Sequence, residues 1–463
     1  MTAAPGAPRA RPAGGVSLFG FANFLLLALF AAAAADLVLA LRAASAGPGR
    51  VRCALGWLWR DGHFLFGGWG AAWRARAGAA LFTAGLCCYE VSVVFCNSMA
   101  REAWGWVQGA LAPALDAAAF LCFAAKILLG TRYTWRELGV AGALYFIARW
   151  VHFNAHNIWW IGLVFAVLAA KDVQLEKPLQ CFLLSGLAAL ALVMGLNAAG
   201  ALPPPPELAA ERNVTEIRGT YGYGHPNTFG GLVFGLTLAW GMLRARRPRW
   251  VDAGLTAAVG VFVLVGPASR TAGLSCLALA AGLAVCRLWG ARPLPRAVPW
   301  LCAAAVPLLA AVSYLLPLGL VKDGPLWGDF GPEWLGRIDY VLTGRLSMIW
   351  MAYRLLDVKI AGQVVGTWPS VDNSFVFTLY QFGPVVAVLL AAGLIAALWG
   401  YARRQRRVEA LCLLVMLAYA FMECQSFHLT TNPAALLLAG VVFVQPPRQW
   451  AGVCGKEAEI PPA

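Results

Sequence analysis

Residues 179–199 read LQCFLLSGLAALALVMGLNAA, twenty-one positions without a charge. Wound as a helix, such a run is about 30 Å long, the thickness of the hydrocarbon core of a bilayer. Its apolar residues show no period-two alternation, which excludes a membrane strand. Runs of this kind recur through the 463-residue chain, which is 60% hydrophobic, only 13% charged and has a mean hydropathy of +0.68. A soluble domain carries roughly a quarter charged residues. The fold class that follows is all-α, a polytopic integral membrane protein.

The apolar runs predict spans near 16–41, 78–98, 107–130, 137–151, 156–172, 179–199, 228–244, 251–267, 271–289, 297–320, 374–399, 408–424 and 433–446. The net charge of +14 sits largely in short loops such as RARRPR (244–249) and YARRQRR (401–407), so it marks cytoplasmic loops rather than a nucleic-acid partner. The loops 244–250, 287–296 and 401–407, with the tail after Pro446, therefore face the cytoplasm. Alternation then turns 200–227, a large loop at 321–373 and 425–432 outward. Arginines between residues 42 and 77 put that linker inside and give thirteen spans; if the tryptophan-rich piece 54–73 dips into the membrane instead, twelve remain. The chain divides into a disordered lead (1–15), amino-terminal membrane helices (16–199), a membrane core (200–446) and a cytoplasmic tail (447–463). The twelve cysteines lie mostly inside apolar runs, with no disulfide framework and no metal-ligand spacing. No cofactor or metal is expected.

The polar residues of the outward segments carry the chemistry. In EIRGTYGYGHPNTFGG (216–231), Pro226, Asn227 and Thr228 mark a helix start, where free amides favour an anion. Arg218 adds a planar fork for phosphate, the glycines allow close backbone approach, and His225 stands beside the turn. In GPASRTAGLS (266–275), Ser269 is placed to cap a span whose first turn holds Arg270, a position that disfavours cations. Arg270 therefore waits for an anion from elsewhere, or else for a distant carboxylate such as Glu423. LTGRLSMIWMAYRLL (342–356) spaces apolar residues at 346, 349, 350 and 353 as an amphipathic helix does, with Arg345 at its start. In GTWPSVDNSFVFTLYQFG (366–383), Asp372 is a candidate general base or cap, and Asn373 a candidate cap. FMECQSFHLTTNP (421–433) places Glu423 at the end of one span and Asn432 at the start of the last, both in supporting positions.

Three arginines, a histidine and two carboxylates on one membrane face suit a substrate with an anionic head and an apolar tail. Transport paths place their ionisable groups nearer the bilayer midplane.

The motifs R-G…H-P-N-x-x-G at 218–230, S-R-T at 269–271, G-R-L-x-x-x-W at 344–350 and D-N-S-F…G at 372–383 resemble the signature of the O-antigen ligase and polysaccharide polymerase superfamily. The resemblance covers roughly 180–433. It implies a GT-C-like, metal-independent, inverting glycosyltransferase at the outer face of the bacterial cytoplasmic membrane. Its partners would be membrane lipid, an undecaprenyl-diphosphate-linked oligosaccharide and other polysaccharide-assembly proteins. By the same resemblance Arg218, Arg270 and Arg345 would hold the diphosphate, with Asn227 and Asn373 beside it. The ligases carry a histidine before the asparagine where this chain has Asp372, so the polymerase branch is expected, with Asp372 and His225 both open as the base. The alternatives are a ligase acting on another acceptor and a flippase for a polyprenyl-linked sugar.

Overall fold

A helix satisfies its own backbone hydrogen bonds, which is why apolar runs in lipid become helices. The computed structural model describes residues 63–64, 71–205, 218–319, 332–365 and 371–443. The predicted lead, the span at 16–41, most of 54–73, parts of the 321–373 loop (321–331 and 366–370) and the tail lie outside the described residues. Six described helices are long and apolar enough to cross a membrane: Trp73–Cys96, Val107–Leu129, Glu176–Ala198, Arg270–Trp289, Val298–Gly319 and Pro384–Arg403. Shorter apolar helices cover Ile158–Ala169, Trp250–Val265 and Pro433–Val442. The architecture is that of a multi-pass α-helical membrane protein.

In chain order the longer helices are α1 (Ala71–Cys96), α2 (Ala112–Leu129), α3 (Trp135–Ala155), α4 (Ile158–Ala169) and α5 (Glu176–Ala198). They continue as α6 (Pro226–Leu243), α7 (Trp250–Val265), α8 (Arg270–Trp289), α9 (Val298–Leu315), α10 (Glu333–Val341) and α11 (Arg345–Leu355). Last come α12 (Ser374–Gln381), α13 (Pro384–Arg403), α14 (Arg407–Met422) and the short α15 (Ala439–Val442). The chain forms two compact units, 1–138 with 172–229 and 139–171 with 230–463.

In the first unit α1 packs against α2 and α5. Glycines bring the backbones close: a Cβ on Gly130 would stand 2.6 Å from the Cα of Gly78. A two-residue antiparallel ladder pairs β1 (His63–Phe64) with β2 (Arg132–Tyr133) in this unit. The segment after Arg218 is tied to the turn after α1, where the Met99 N–H donates to the Gly222 carbonyl at 2.8 Å. Within α1, Glu90 is fully buried, and neither of its oxygens has a hydrogen-bond partner among the described residues.

In the second unit α7 and α8 form a close hairpin, since a Cβ on Gly273 would stand 2.5 Å from Leu264 Cγ and 3.0 Å from the Gly260 carbonyl. Helix α8 also packs on α14, and α9 on α13. The α8–α14 pair is antiparallel. At one end Arg407 Nη1 donates to the Gly290 carbonyl at 2.6 Å and the Leu294 N–H donates to Gln405 Oε1 at 2.7 Å. The arginine-bearing loops 287–296 and 401–407 thus meet. At the opposite end Thr271, in the first turn of α8, hydrogen-bonds Glu423, the residue after α14.

Two predicted spans take another form. The run 374–399 is not one helix: α12 stops at Gln381, Gly383 adopts φ 86°, and α13 starts at Pro384. Proline lacks the N–H that a continuous helix would need and restricts the residue before it. The run 433–446 opens as a 3₁₀ helix, Pro433–Leu438, because the Asn432 side chain accepts the Ala435 amide at 3.2 Å and fixes a three-residue turn. Gly383 also faces Gly362, whose φ is 73°. A Cβ on Gly362 would run into the Gln381 carbonyl, and one on Gly383 into that of Ile360. The Gln363 N–H donates to the Gln381 carbonyl at 3.1 Å, stitching the segment after α11 to the α12–α13 junction.

Candidate active site

The end of the second unit that holds Thr271 and Glu423 also gathers Arg345 and Asp372. Arg345 opens α11 and is clasped on every side. Its Nε donates to the Met422 carbonyl at 2.8 Å, and its Nη1 to the Leu342 carbonyl at 3.2 Å and Thr343 Oγ1 at 2.7 Å. Its Nη2 donates to Glu423 Oε1 at 2.9 Å, an ion pair whose two side chains are 12% and 10% exposed. A cation at a helix amino terminus is electrostatically unfavourable. Asp339 of α10 offsets it by accepting the Leu346 and Ser347 amides at 2.8 and 3.3 Å. The predicted stripe of α11 is only partly kept, since Leu346, Ile349, Met351 and Ala352 are buried and Trp350 and Tyr353 half-buried.

Burial pushes the Glu423 carboxyl up to about 7. The Arg345 guanidinium opposes the shift, the nearby Asp372 charge adds to it, and the hydrogen bond from Thr271 opposes it again. A carboxyl poised there changes charge near neutral pH. Asp372 is half-buried at the mouth of α12. Beside it Asn373 is fully engaged: its Oδ1 caps α12 by accepting the Phe375 and Val376 amides at 3.0 and 3.1 Å. Its Nδ2 donates to Ser313 Oγ at 3.0 Å and the Phe421 carbonyl at 2.9 Å. Asn373 therefore holds the start of α12 against α9 and the end of α14, which sets Asp372 beside Glu423.

Ser269 occupies the cap position of α8, but its side chain makes no capping bond; it is buried against Gly230 of α6, which leaves no room for it to turn back. Arg270 follows, exposed, and among the described residues it makes no ion pair or hydrogen bond. Glu423, the carboxylate that could have claimed it, is taken by Arg345. Asn432 caps the 3₁₀ turn and lines a small cavity that is otherwise apolar, with Leu163, Phe375, Leu413 and Leu417 among its walls.

The first unit carries its own polar constellation. Arg218 is buried and its Nη2 donates to Asn227 Oδ1 at 2.7 Å. Pro226 is the first residue of α6, as expected. His225 closes the turn before it: the Asn227 N–H donates to its Nδ1 at 3.1 Å, and its carbonyl accepts the Thr228 amide at 3.1 Å. An accepting Nδ1 places the ring proton on Nε2, so the exposed edge of His225 is a donor.

Three further residues belong to these surroundings without having been singled out in the sequence. Thr271 hydrogen-bonds Glu423, and the Ser374 hydroxyl donates to the Glu423 carbonyl. His428 is buried, its Nδ1 lies 2.9 Å from Thr430 Oγ1, its ring meets Trp159 edge-on at 5.0 Å, and burial pulls its pKa down to about 4. Small hydroxyls next to louder residues give no sequence signal; His428 stood within a quoted motif but without a partner at helical spacing.

No family model, curated protein or solved structure matches the chain.

Proposed function

We propose that this protein is a GT-C-like glycosyltransferase that polymerises undecaprenyl-diphosphate-linked oligosaccharide repeat units at the outer face of the bacterial cytoplasmic membrane. The observation that carries it is the convergence, at one end of the α8–α14 pair, of S-R-T (269–271), G-R-L (344–346), D-N-S (372–374) and Glu423, segments scattered over more than a hundred residues. Arg270 is exposed there without a partner among the described residues, where an incoming anion can meet it. The arginine-rich loops lie at the other end of the same helices, as expected if the cluster faces outward and the carboxy terminus lies in the cytoplasm.

In this mechanism Arg270 and Arg345 hold the lipid diphosphate and stabilise the charge that develops on it as the glycosidic bond breaks. Asp372 takes the proton of the attacking sugar hydroxyl. The attack inverts the anomeric carbon and releases polyprenyl diphosphate. His225, with its Nδ1 engaged by the Asn227 amide and its ring proton on Nε2, offers a donor rather than a base. The test is purified protein with a lipid-diphosphate oligosaccharide, reading glycan size and free polyprenyl diphosphate. A ladder of multiples is the expected product. Product that forms only with a second acceptor would make it a ligase, and no release of polyprenyl diphosphate would make it a carrier.

A further inference from the structure

Four N–H groups of Arg345 are engaged, and they are not equivalent. Those on Nε and Nη1 go to the Met422 and Leu342 carbonyls and to Thr343, neutral partners built into the backbone or beside it. These fix the plane of the guanidinium. The Nη2 edge alone faces a group that can lose its charge, the Glu423 carboxylate at 2.9 Å. A carboxylate on an arginine edge presents the same two-oxygen geometry as a phosphate oxygen pair.

We propose that Glu423 is an internal substitute for phosphate at Arg345, and that a diphosphate binds by displacing it from the Nη2 edge while Glu423 takes up a proton. This rests on assigning Arg345 to the diphosphate clamp. The proton follows from the charges in the cluster. The ionisable and charged groups around Glu423 are Arg345 from α11, Asp372 from the segment before α12, Tyr419 from its own helix and Cys424 next in sequence. Arg345 is the cation bonded to Glu423 and Arg270 the second arginine at this end, so a diphosphate, Asp372 and an ionised Glu423 would bring more negative charge than the two arginines offset. Adding a proton from bulk water to the displaced carboxylate removes one negative charge. The Thr271 and Ser374 hydroxyls, already bonded to the side chain and carbonyl of Glu423, keep the residue in place after the exchange. The pair thus admits anions only together with a proton, and holds Arg345 in position when none is bound.

The experiment uses the full chain in nanodiscs, with farnesyl diphosphate and inorganic pyrophosphate as probes, titrated calorimetrically at pH about 6 and about 8 in buffers of different ionisation enthalpy. A group titrating near 7 that is protonated only in the bound state makes affinity fall about tenfold over that interval. The wild-type protein should show this fall relative to Glu423→Gln, whose affinity should stay at the low-pH level; the difference between the two removes the probe's own titration. Wild-type protein should also take up a proton with sulfate, which does not titrate in this range, so the result does not depend on the variant folding. Equal affinities of wild type and Glu423→Gln at both pH values, with no proton uptake, would overturn the displacement while leaving the clamp standing. Absence of binding of either diphosphate to well-folded wild-type protein at both pH values would overturn the clamp and the displacement together. Binding of farnesyl diphosphate but not pyrophosphate would show that the ligand is a lipid, with the exchange still read from its pH dependence.

Discussion

The Nδ1 of His225 accepts the backbone amide of Asn227, two residues ahead, at 3.1 Å. A ring nitrogen used to close a helix cannot also take a proton from a substrate without giving up the cap. His225→Ala should therefore cost about 1 kcal/mol of stability and weaken donor binding, with some turnover left. Asp372→Asn should abolish turnover with donor binding intact. Single-turnover assays alongside binding measurements separate the two; a dead His225→Ala with an active Asp372→Asn would exchange their roles.

Arg270 and Arg345 should respond oppositely to substitution. Arg270 has no partner to lose among the described residues, so Arg270→Lys should leave the melting temperature unchanged and reduce activity by an amount worth about 2–4 kcal/mol, since lysine lacks the planar fork. Arg345→Ala strands Glu423 and two carbonyls, and should destabilise by about 3–5 kcal/mol. Thermal unfolding in detergent, paired with activity, distinguishes them. Near-normal turnover of Arg270→Lys would remove Arg270 from the clamp.

The raised carboxyl of Glu423 also makes stability depend on pH. Its usual value is 4.5 and burial lifts it to about 7, so the folded protein binds a proton there that the unfolded chain releases. The stabilising contribution is complete below pH 4.5 and is lost as the pH rises through about 7. The difference in melting temperature between wild type and Glu423→Gln should accordingly fall to its lowest above neutrality. A difference that grows with pH would show that the ionised carboxylate is the favoured form.

Glu90 should be dispensable for folding. Both its oxygens lack partners among the described residues inside α1, so Glu90→Leu removes buried polar groups that stabilise nothing visible. A gain of about 1–3 kcal/mol is expected. Loss of activity in a stable Glu90→Leu protein would instead give the carboxyl a role in turnover.

The side of the membrane is open to direct measurement. A reporter active only outside the cytoplasm should work when fused at Pro204 and fail at Arg247 or Arg404. Activity at Arg404 would turn the cluster towards the cytoplasm.

Much of the helical framework could be read from apolarity alone, because lipid leaves a backbone few choices. α5, read as 179–199, runs Glu176–Ala198. The break at Gly383 was hidden because Phe382 and the residues after Pro384 keep the run apolar; the Gly-Pro step was its one local sign. The motif residues were individually visible, but not their pairing. Arg345 and Glu423 lie 78 positions apart, and no periodicity joins them. The part His225 plays at the start of α6 was hidden for a different reason: histidine is not among the favoured capping residues, and only the turn geometry gives its ring that role.

Gly362 and Gly383 touch main chain to main chain, both in left-handed conformations, on segments twenty-one residues apart. A saturation library would show these as two blank columns, each emptied by the other's backbone as well as by its own φ. Because the contact involves no side chain, no second-site change in side-chain size can rescue either position. Relatives of this protein should therefore gain and lose residues freely elsewhere around the membrane helices, yet keep the length of chain between these two glycines nearly constant.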